Sequence, residues 1–284
     1  MKRIIVLAAV FVFICSGCIK QLADAVVRQP APEGYVRLAI TETDVNLRPL
    51  PQVGGKIAAR ANTGDVFIAE QWPIENTTDK SQWYRIVFAL KADGSIVPLS
   101  AADKRFKAGS FPFVSANYAK VSPVTTEEDA AIRTIPYSKK DNGGLGKNLP
   151  DIVRKFGPGE ISRTFNVELI EHFGGVDMLH AEVNLPGLEG FLWENLEGEY
   201  ELYGKSFTLT KPGMVCDGIA IATPGFGKAD VSKLMQEQWK TQPEITKRDD
   251  GECWAYIAEM WDCDIVFDEQ GLVKSYRFRF STGS

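Results

Sequence analysis

Histidine is almost absent from this chain of 284 residues: His172 and His180 are the only two. A closed zinc site needs four ligands, and no cysteine or carboxylate cluster frames this pair at ligand spacing. Nucleophilic catalysis with an imidazole base has equally little to draw on. Positive charge is in deficit too, with 32 Lys and Arg against 37 Asp and Glu. Sequence-independent nucleic-acid binding runs on Lys and Arg against phosphate, so an acidic chain argues against it. The same deficit argues against docking on anionic lipid. Long apolar runs are missing. Ile4 to Ile14 spans 11 residues, about 16 Å as a helix against the roughly 30 Å of a bilayer core. The phosphate-loop pattern GxxxxGK[ST] is not met: Thr223-Pro-Gly-Phe-Gly227-Lys228-Ala229 lacks its first glycine and has Ala after Lys. The carboxylate pairs Glu127-Glu128, Asp249-Asp250 and Asp268-Glu269 fall in turn-like, solvated text. No catalytic set and no cofactor are expected.

What is present begins at the start. Met1-Lys2-Arg3 precedes the apolar run, which ends in Cys15-Ser16-Gly17-Cys18. This resembles a bacterial lipoprotein signal peptide. The resemblance implies cleavage after residue 17 and lipidation of Cys18 by diacylglycerol and an N-acyl (palmitate-type) chain, a durable membrane anchor. It also implies an extracytoplasmic place in the cell envelope. Ile19 after the lipidated cysteine implies the outer membrane, facing the periplasm, if the host has two. An ordinary signal peptide or an N-terminal anchor helix is the alternative. Residues 18–34, ending in Pro30-Ala-Pro32, suit a tether.

Cleavage leaves 267 residues, room for two or three domains, and takes the net charge from −5 to −7. The 44% apolar fraction is that of a globular protein. Of five cysteines, Cys216, Cys253 and Cys263 would remain as thiols or bridges. Cys253 and Cys263 flank Trp254–Asp262, which suits two short strands around a turn near Ala258. They are expected to meet across that hairpin as a disulfide worth about 3 kcal/mol. Pairing of Cys216 with either one is the alternative.

Residues 35–123 alternate in short segments: Val36–Ile40, Val45–Arg48, Lys56–Ala61, Asp65–Gln71, Trp83–Phe88 and Phe113–Tyr118. Strands this short, spaced by Gly, Pro and Asn, predict a small barrel or sandwich. Asp44-Val-Asn-Leu-Arg48-Pro-Leu-Pro51, Thr63-Gly-Asp-Val66, Trp83-Tyr-Arg-Ile-Val87 and Phe111–Lys120 resemble, in order, the motifs of bacterial SH3-like domains. The departure is an enlarged loop, Lys91 to Gly109. A weaker second copy is expected over 124–205, from Ala131-Ile132-Arg133, Met178–Val183 and Leu188–Leu196, around a short helix at Leu149–Phe156. A competing parse takes Gly144-Leu-Gly-Lys147 and Gly225-Phe-Gly-Lys228, 81 residues apart, as the starts of two related α+β units.

Over 206–284 the spacing predicts an amphipathic helix at Lys228–Trp239, then strands at Glu252–Ala258, Cys263–Phe267 and Leu272–Phe280. Asp268-Glu-Gln-Gly271 is the last turn. This region loosely resembles SmpA/OmlA-like small outer-membrane lipoproteins and β-lactamase-inhibitor-like proteins. The expected fold is therefore mainly β: one or two small SH3-like barrels, then a small α+β module with one helix on an antiparallel meander.

SH3-like domains often accompany NlpC-type cysteine peptidases. Met214-Val-Cys216-Asp217-Gly218 reverses that family's Asp-Cys order, and both histidines precede the cysteine instead of following it. Recognition remains. Small barrels bind extended peptides in aromatic-lined grooves. Trp72, Tyr84, Phe113, Tyr118 and Trp193 are the candidate ligand contacts, with Phe191 beside them, while Trp83 is expected in the core. The resemblances imply a non-enzymatic, lipid-anchored envelope protein that binds peptidoglycan stem peptide or an envelope protein through its barrels. The rival reading is a scaffold, or an inhibitor of an envelope enzyme, acting through the C-terminal module.

Overall fold

Short strands and tight turns dominate, as the alternation predicts: the molecule is mainly β, with a large mixed sheet that is not a closed barrel. The computed structural model describes residues 34–106, 109–135, 145, 148–166, 178–196, 201–211, 213, 215–216, 219–258 and 261–280. Cys18 and His172 therefore lie outside the described residues.

In the first half, β1 (Tyr35–Ile40) pairs antiparallel with both β4 (Val66–Glu70) and β9 (Ala119–Pro123). Between β1 and β4 in sequence stands a hairpin of β2 (Val45–Leu47) and β3 (Ala59–Ala61). On its other edge β4 pairs antiparallel with β6 (Gln82–Leu90), with a register shift between Ile68 and Ala69. That long strand also carries β5 (Ile74–Asn76), β7 (Ile96–Pro98) and β8 (Phe113–Ser115). A single turn, α1 (Leu99–Ala102), follows β7. A 3-10 turn at Ala116–Tyr118 joins β8 to β9, and α2 (Thr126–Thr134) follows. Leu38, Leu47, Phe67, Ile86, Leu99, Phe106 and Val114 share one buried cluster. Each such side chain contributes about 1.5–3 kcal/mol on leaving water.

The second half repeats one plan. Helix α3 (Leu149–Phe156) is followed by β10 (Glu160–Phe165), β11 (Met178–Leu185), β12 (Leu188–Asn195) and β13 (Glu201–Leu209). After a small hairpin, β14 (Val215–Cys216) with β15 (Ile219–Ala220), comes α4 (Lys228–Gln238). It is followed by β16 (Glu244–Arg248), β17 (Gly251–Ala258), β18 (Trp261–Phe267) and β19 (Val273–Phe280). Two helix-plus-four-strand units thus join last strand to last strand, in the order β10-β11-β12-β13-β19-β18-β17-β16, all antiparallel. At the other end β10 pairs parallel with β5, which fuses this sheet to the first half.

One face of the eight strands is apolar. Along β11, Leu179, Ala181, Val183 and Leu185 are buried while Glu182 and Asn184 are exposed, the period-2 signature of a sheet covered on one side. Ile152, Val153 and Phe156 of α3 and Val231 and Met235 of α4 bury against that face. Asn148 caps α3, its Oδ1 accepting from Asp151 N–H at 2.9 Å, and Gly157 ends it at φ 101°. Gly190 on β12 is held at φ 143°, where a Cβ would stand 2.3 Å from the Ser206 carbonyl oxygen. Only a residue without Cβ allows β12 and β13 to approach this closely.

Three expectations are corrected. Residues 124–205 do not form a second barrel: β10–β13 lie in one open layer that continues into β19, as the two-unit parse has it. Ala131-Ile132-Arg133 lies in α2, not in an opening strand. Thr125 Oγ1 accepts from Glu128 N–H at 3.1 Å and Glu128 Oε2 accepts from Thr125 N–H at 2.8 Å, a reciprocal cap that commits the segment to helix. The Cys253–Cys263 bridge is absent, both thiols being free and buried. Cys253 stands opposite Val266 and Cys263 opposite Tyr256, three positions out of register. At about 3.3 Å per residue that is ~10 Å along the strands, beyond the ~7 Å limit for a disulfide. The odd offset also puts the two thiols on opposite faces of the sheet.

Candidate functional site

The face of the eight-stranded sheet opposite the helices bears an aromatic stack. His180 on β11 lies directly across from Trp193 on β12. Its ring sits 4.9 Å from Phe191, nearly parallel at 19°, and 5.0 Å from Trp193 at 35°. Offset stacking of this kind contributes about 0.5–1.5 kcal/mol beyond burial. Phe191 is 40% exposed. Burial, only partly opposed by Glu182, pushes the His180 imidazole below its ordinary value of 6.5, so a neutral ring stacks at neutral pH. Glu182 and, opposite Asn184 further along β11, Glu160 and Glu189 are exposed on the same face, so acidic residues border the stack at one end.

Across the same face, in the second unit, charge replaces the rings. Asp264 lies 3.3 Å from Arg279 and 3.5 Å from Arg248. Cys253 and Val266 are buried beside it. Burial, then the Asp264 charge, raises the Cys253 thiol, and burial pushes Cys263 up to about 12. Neither supplies a thiolate near neutral pH.

The structure scatters the five aromatic candidates. Phe113 is core, 1% exposed, packed with Ile74, Trp83 and Phe165. Trp83 is buried as expected, its Nε1–H donating to Ser81 Oγ at 2.6 Å. Tyr84 points to the opposite side of β6, half-buried against the first-half core, where desolvation raises its phenol. Trp72 is half-buried against the helix-side core of the second half. Tyr118, 41% exposed, stands on the 3-10 turn. Trp193 joins the stack. No groove gathers them, because the flank of β6 and β8 that carries Trp83 and Phe113 is covered by the second half.

That covering hides a charged junction. Arg163 on β10, 2% exposed, donates to Glu194 Oε2 through Nε at 3.0 Å and Nη2 at 2.7 Å, and to the Trp72 carbonyl at 3.1 Å. Its Nη2 also lies 2.8 Å from Glu70 Oε2. Arg85, equally buried, stacks over Phe111 at 5.2 Å, and its charge acts on Glu70. Two arginines and two glutamates thus neutralise one another out of water. Desolvation still raises the Glu70 carboxyl, against the opposing pull of Arg163 and Arg85. Such a cluster fixes orientation more than it adds stability. Sequence reasoning missed it, although a signal exists. Glu70, Arg85, Arg163 and Glu194 each occupy the inward phase of an alternating strand, two residues from Ile68, Trp83, Phe165 and Leu192.

A cleft of about 800 Å³ opens at the far end of the first half, between the start of β4, the end of β6 and the segment from α1 to Phe106. Among the described residues no cluster of three metal-ligating side chains occurs, and none of the helices is long and apolar enough to cross a membrane. His180 is stacked and the Cys253 and Cys263 thiols are buried, so these three groups supply no activated nucleophile. Comparison with family models, curated proteins and solved structures returned no match to this chain.

Proposed function

We propose that this is a non-enzymatic, lipid-anchored envelope protein that recognises a protein partner through the open face of its eight-stranded sheet. The observation that carries the reading is the His180–Phe191–Trp193 stack on the face opposite the helices, with the Phe191 ring 40% exposed. Rigid aromatic side chains on a regular sheet offer contact area at low entropic cost. The acidic border of Glu160, Glu182 and Glu189 fits a partner surface that offers an apolar side chain flanked by Lys or Arg. Anchoring rests on the resemblance around Cys18 and places the body outside the cytoplasm. It differs from the scaffold-or-inhibitor reading, which acts through residues 206–284, in putting the contact on β11 and β12.

Photo-cross-linking from a probe at position 184, in the anchored chain, tests it. A discrete protein adduct that disappears in a Phe191→Lys, Trp193→Ala variant is expected. An adduct pattern indifferent to those substitutions, or none, removes the face from consideration.

A second reading keeps the first half as a wall-binding module. Its support is connectivity: β1 flanked by β9 and β4, the β2–β3 hairpin between β1 and β4, and one 3-10 turn between β8 and β9. That arrangement resembles an SH3-like domain, the fold the motifs imply, with peptidoglycan stem peptide as its ligand. Saturable co-sedimentation of the chain with purified peptidoglycan is the expected result. A chain that stays in the supernatant at every ionic strength refutes it.

A further inference from the structure

The outer strands of the two helix-plus-four-strand units are counterparts, and only one of them is paired on its outer side. Both units turn tightly after their second strand, with Leu185 opposite Leu188 in the first and Ala258 opposite Trp261 in the second. Counted back from those turns, Arg163 opposite Ala181 corresponds to Ile245 opposite Trp254. Phe165 opposite Leu179 corresponds in the same way to Lys247 opposite Glu252. Arg163-Thr164-Phe165 is the stretch of β10 that takes an added strand, β5, in parallel pairing. Its equivalent on β16, Ile245-Thr246-Lys247, has no strand on its outer side among the described residues. All five residues of β16 are exposed, Ile245 at 58%. An unpaired edge of this kind is a template for another strand.

The order of residues on β16 selects that strand. Glu244-Ile245-Thr246-Lys247-Arg248 has a carboxylate at one end and a guanidinium at the other. Within one chain these two stand about 13 Å apart at ~3.3 Å per residue. Glu244 has no ion pair among the described residues, and Arg248 shares Asp264 with Arg279, at 3.5 and 3.3 Å. A two-fold axis through Thr246 lays β16 antiparallel to itself. Glu244 then faces Arg248 of the second copy at both ends of the pair, and Thr246 faces Thr246. Opposite charges and paired threonines are favourable when directly opposed across strands. On the helix side the two exposed Ile245 side chains become diagonal neighbours, within reach of each other. Moving the axis one residue on, to Lys247, sets lysine against lysine. Moving it back, to Ile245, parts Glu244 from Arg248.

We propose that β16 pairs antiparallel with β16 of a second copy about a two-fold axis through Thr246, making the two eight-stranded sheets continuous. The axis stands normal to the sheet, so both open faces look the same way. From the first unit only the place of strand addition carries over, since β5 runs parallel to β10. The proposal draws on neither functional reading above.

Sedimentation equilibrium of the full chain, in detergent with micelles in large excess over chains, tests it. A reversible dimer is the expected result. Glu244→Arg, which sets arginine against arginine at an exposed position, is expected to raise the dissociation constant at least about tenfold. Adding Arg248→Glu to the same chain restores opposite charges and is expected to return the constant to within about threefold of the native value. Lys274→Glu, a charge reversal at an exposed site on β19, is expected to leave it unchanged. Backbone amide exchange over residues 244–248 is a second readout that needs no variant, and it should slow as chain concentration rises. A chain that stays monomeric up to about 100 μM overturns the pairing. So does a dimer that ignores Glu244→Arg, a folded double variant no tighter than Glu244→Arg alone, or exchange in β16 that is independent of concentration.

Discussion

The two helix-plus-four-strand units share a plan and differ in what their outer parts do. On the helix side both are apolar, and they pool one core from Leu149 to Phe278. On the open side the first carries the His180–Phe191–Trp193 stack and the second an Asp264–Arg279–Arg248 cluster. Their free strands diverge further. β10 is buried into the junction by β5 and Arg163, whereas all five residues of β16 are exposed. Glu244, Lys247 and Arg248 on that edge discourage pairing with a chain of unmatched charge. The covered face tolerates little change because it must pack, while the open face and outer edges carry no such constraint.

The sharpest way to break this contrast is Arg163→Met against Arg248→Met. Removing Arg163 strands Glu70 and Glu194 out of water, and a loss of about 3–5 kcal/mol in urea unfolding is expected. Arg248, on the exposed edge, should cost at most about 1 kcal/mol. Comparable losses would mean that the junction is no more demanding than the edge.

pH sharpens the same point. The Glu70 carboxyl is raised by burial from an ordinary 4.5. Its stabilising share is complete below 4.5 and is lost as pH rises through the raised value. The native chain should therefore lose Tm relative to Glu70→Gln as pH climbs above 4.5. A constant difference between the two melting curves would contradict the raised value.

Gly190→Ala is next in size. With φ at 143° and the Ser206 carbonyl in the way, a loss of order 1–3 kcal/mol is expected on thermal unfolding. A neutral outcome would show that β12 and β13 can part.

The thiols compare the two faces of the second unit. Cys263 lies in the core under the helices, with its thiol pushed up to about 12; Cys253 lies near the exposed β16 edge. Thiol-labelling kinetics should show Cys253 reacting through local fraying of β16 and Cys263 only with global unfolding. Reductant should leave Tm unchanged, since no bridge joins them. A Tm that drops in reductant would restore the disulfide.

The smallest effect on stability is expected from Phe191→Lys. An exposed substitution of this kind shifts unfolding by about 0.5 kcal/mol, while the adduct formed from position 184 should vanish. A large loss of stability would make the stack a structural part of the sheet.

Local text was legible. Leu149–Phe156 and Lys228–Trp239 were readable as helices from apolar spacing, and the last three strands from alternation, because such periods are written within a dozen residues. α2 was open to recognition from Thr125 and Glu128. β5 and β16 were not: three residues, Ile74–Asn76, and five exposed ones, Glu244–Arg248, have no pattern apart from their partners.

The candidate site divides the same way. Trp193 was found as an aromatic on an alternating strand, but Phe113 and Trp72 could be told from surface residues only by what lies over them. By itself the sequence determined the identity of the long periodic elements, the helices at Leu149–Phe156 and Lys228–Gln238 and the strands from β17 to β19, and their buried phase, since these follow from neighbours a few residues apart. Tertiary structure alone decided the register that separates Cys253 from Cys263, the last-strand pairing of β13 with β19, and the meeting of Glu70, Arg85, Arg163 and Glu194. Those depend on contacts between residues far apart in the chain, where one shift of register moves every side chain to the other face.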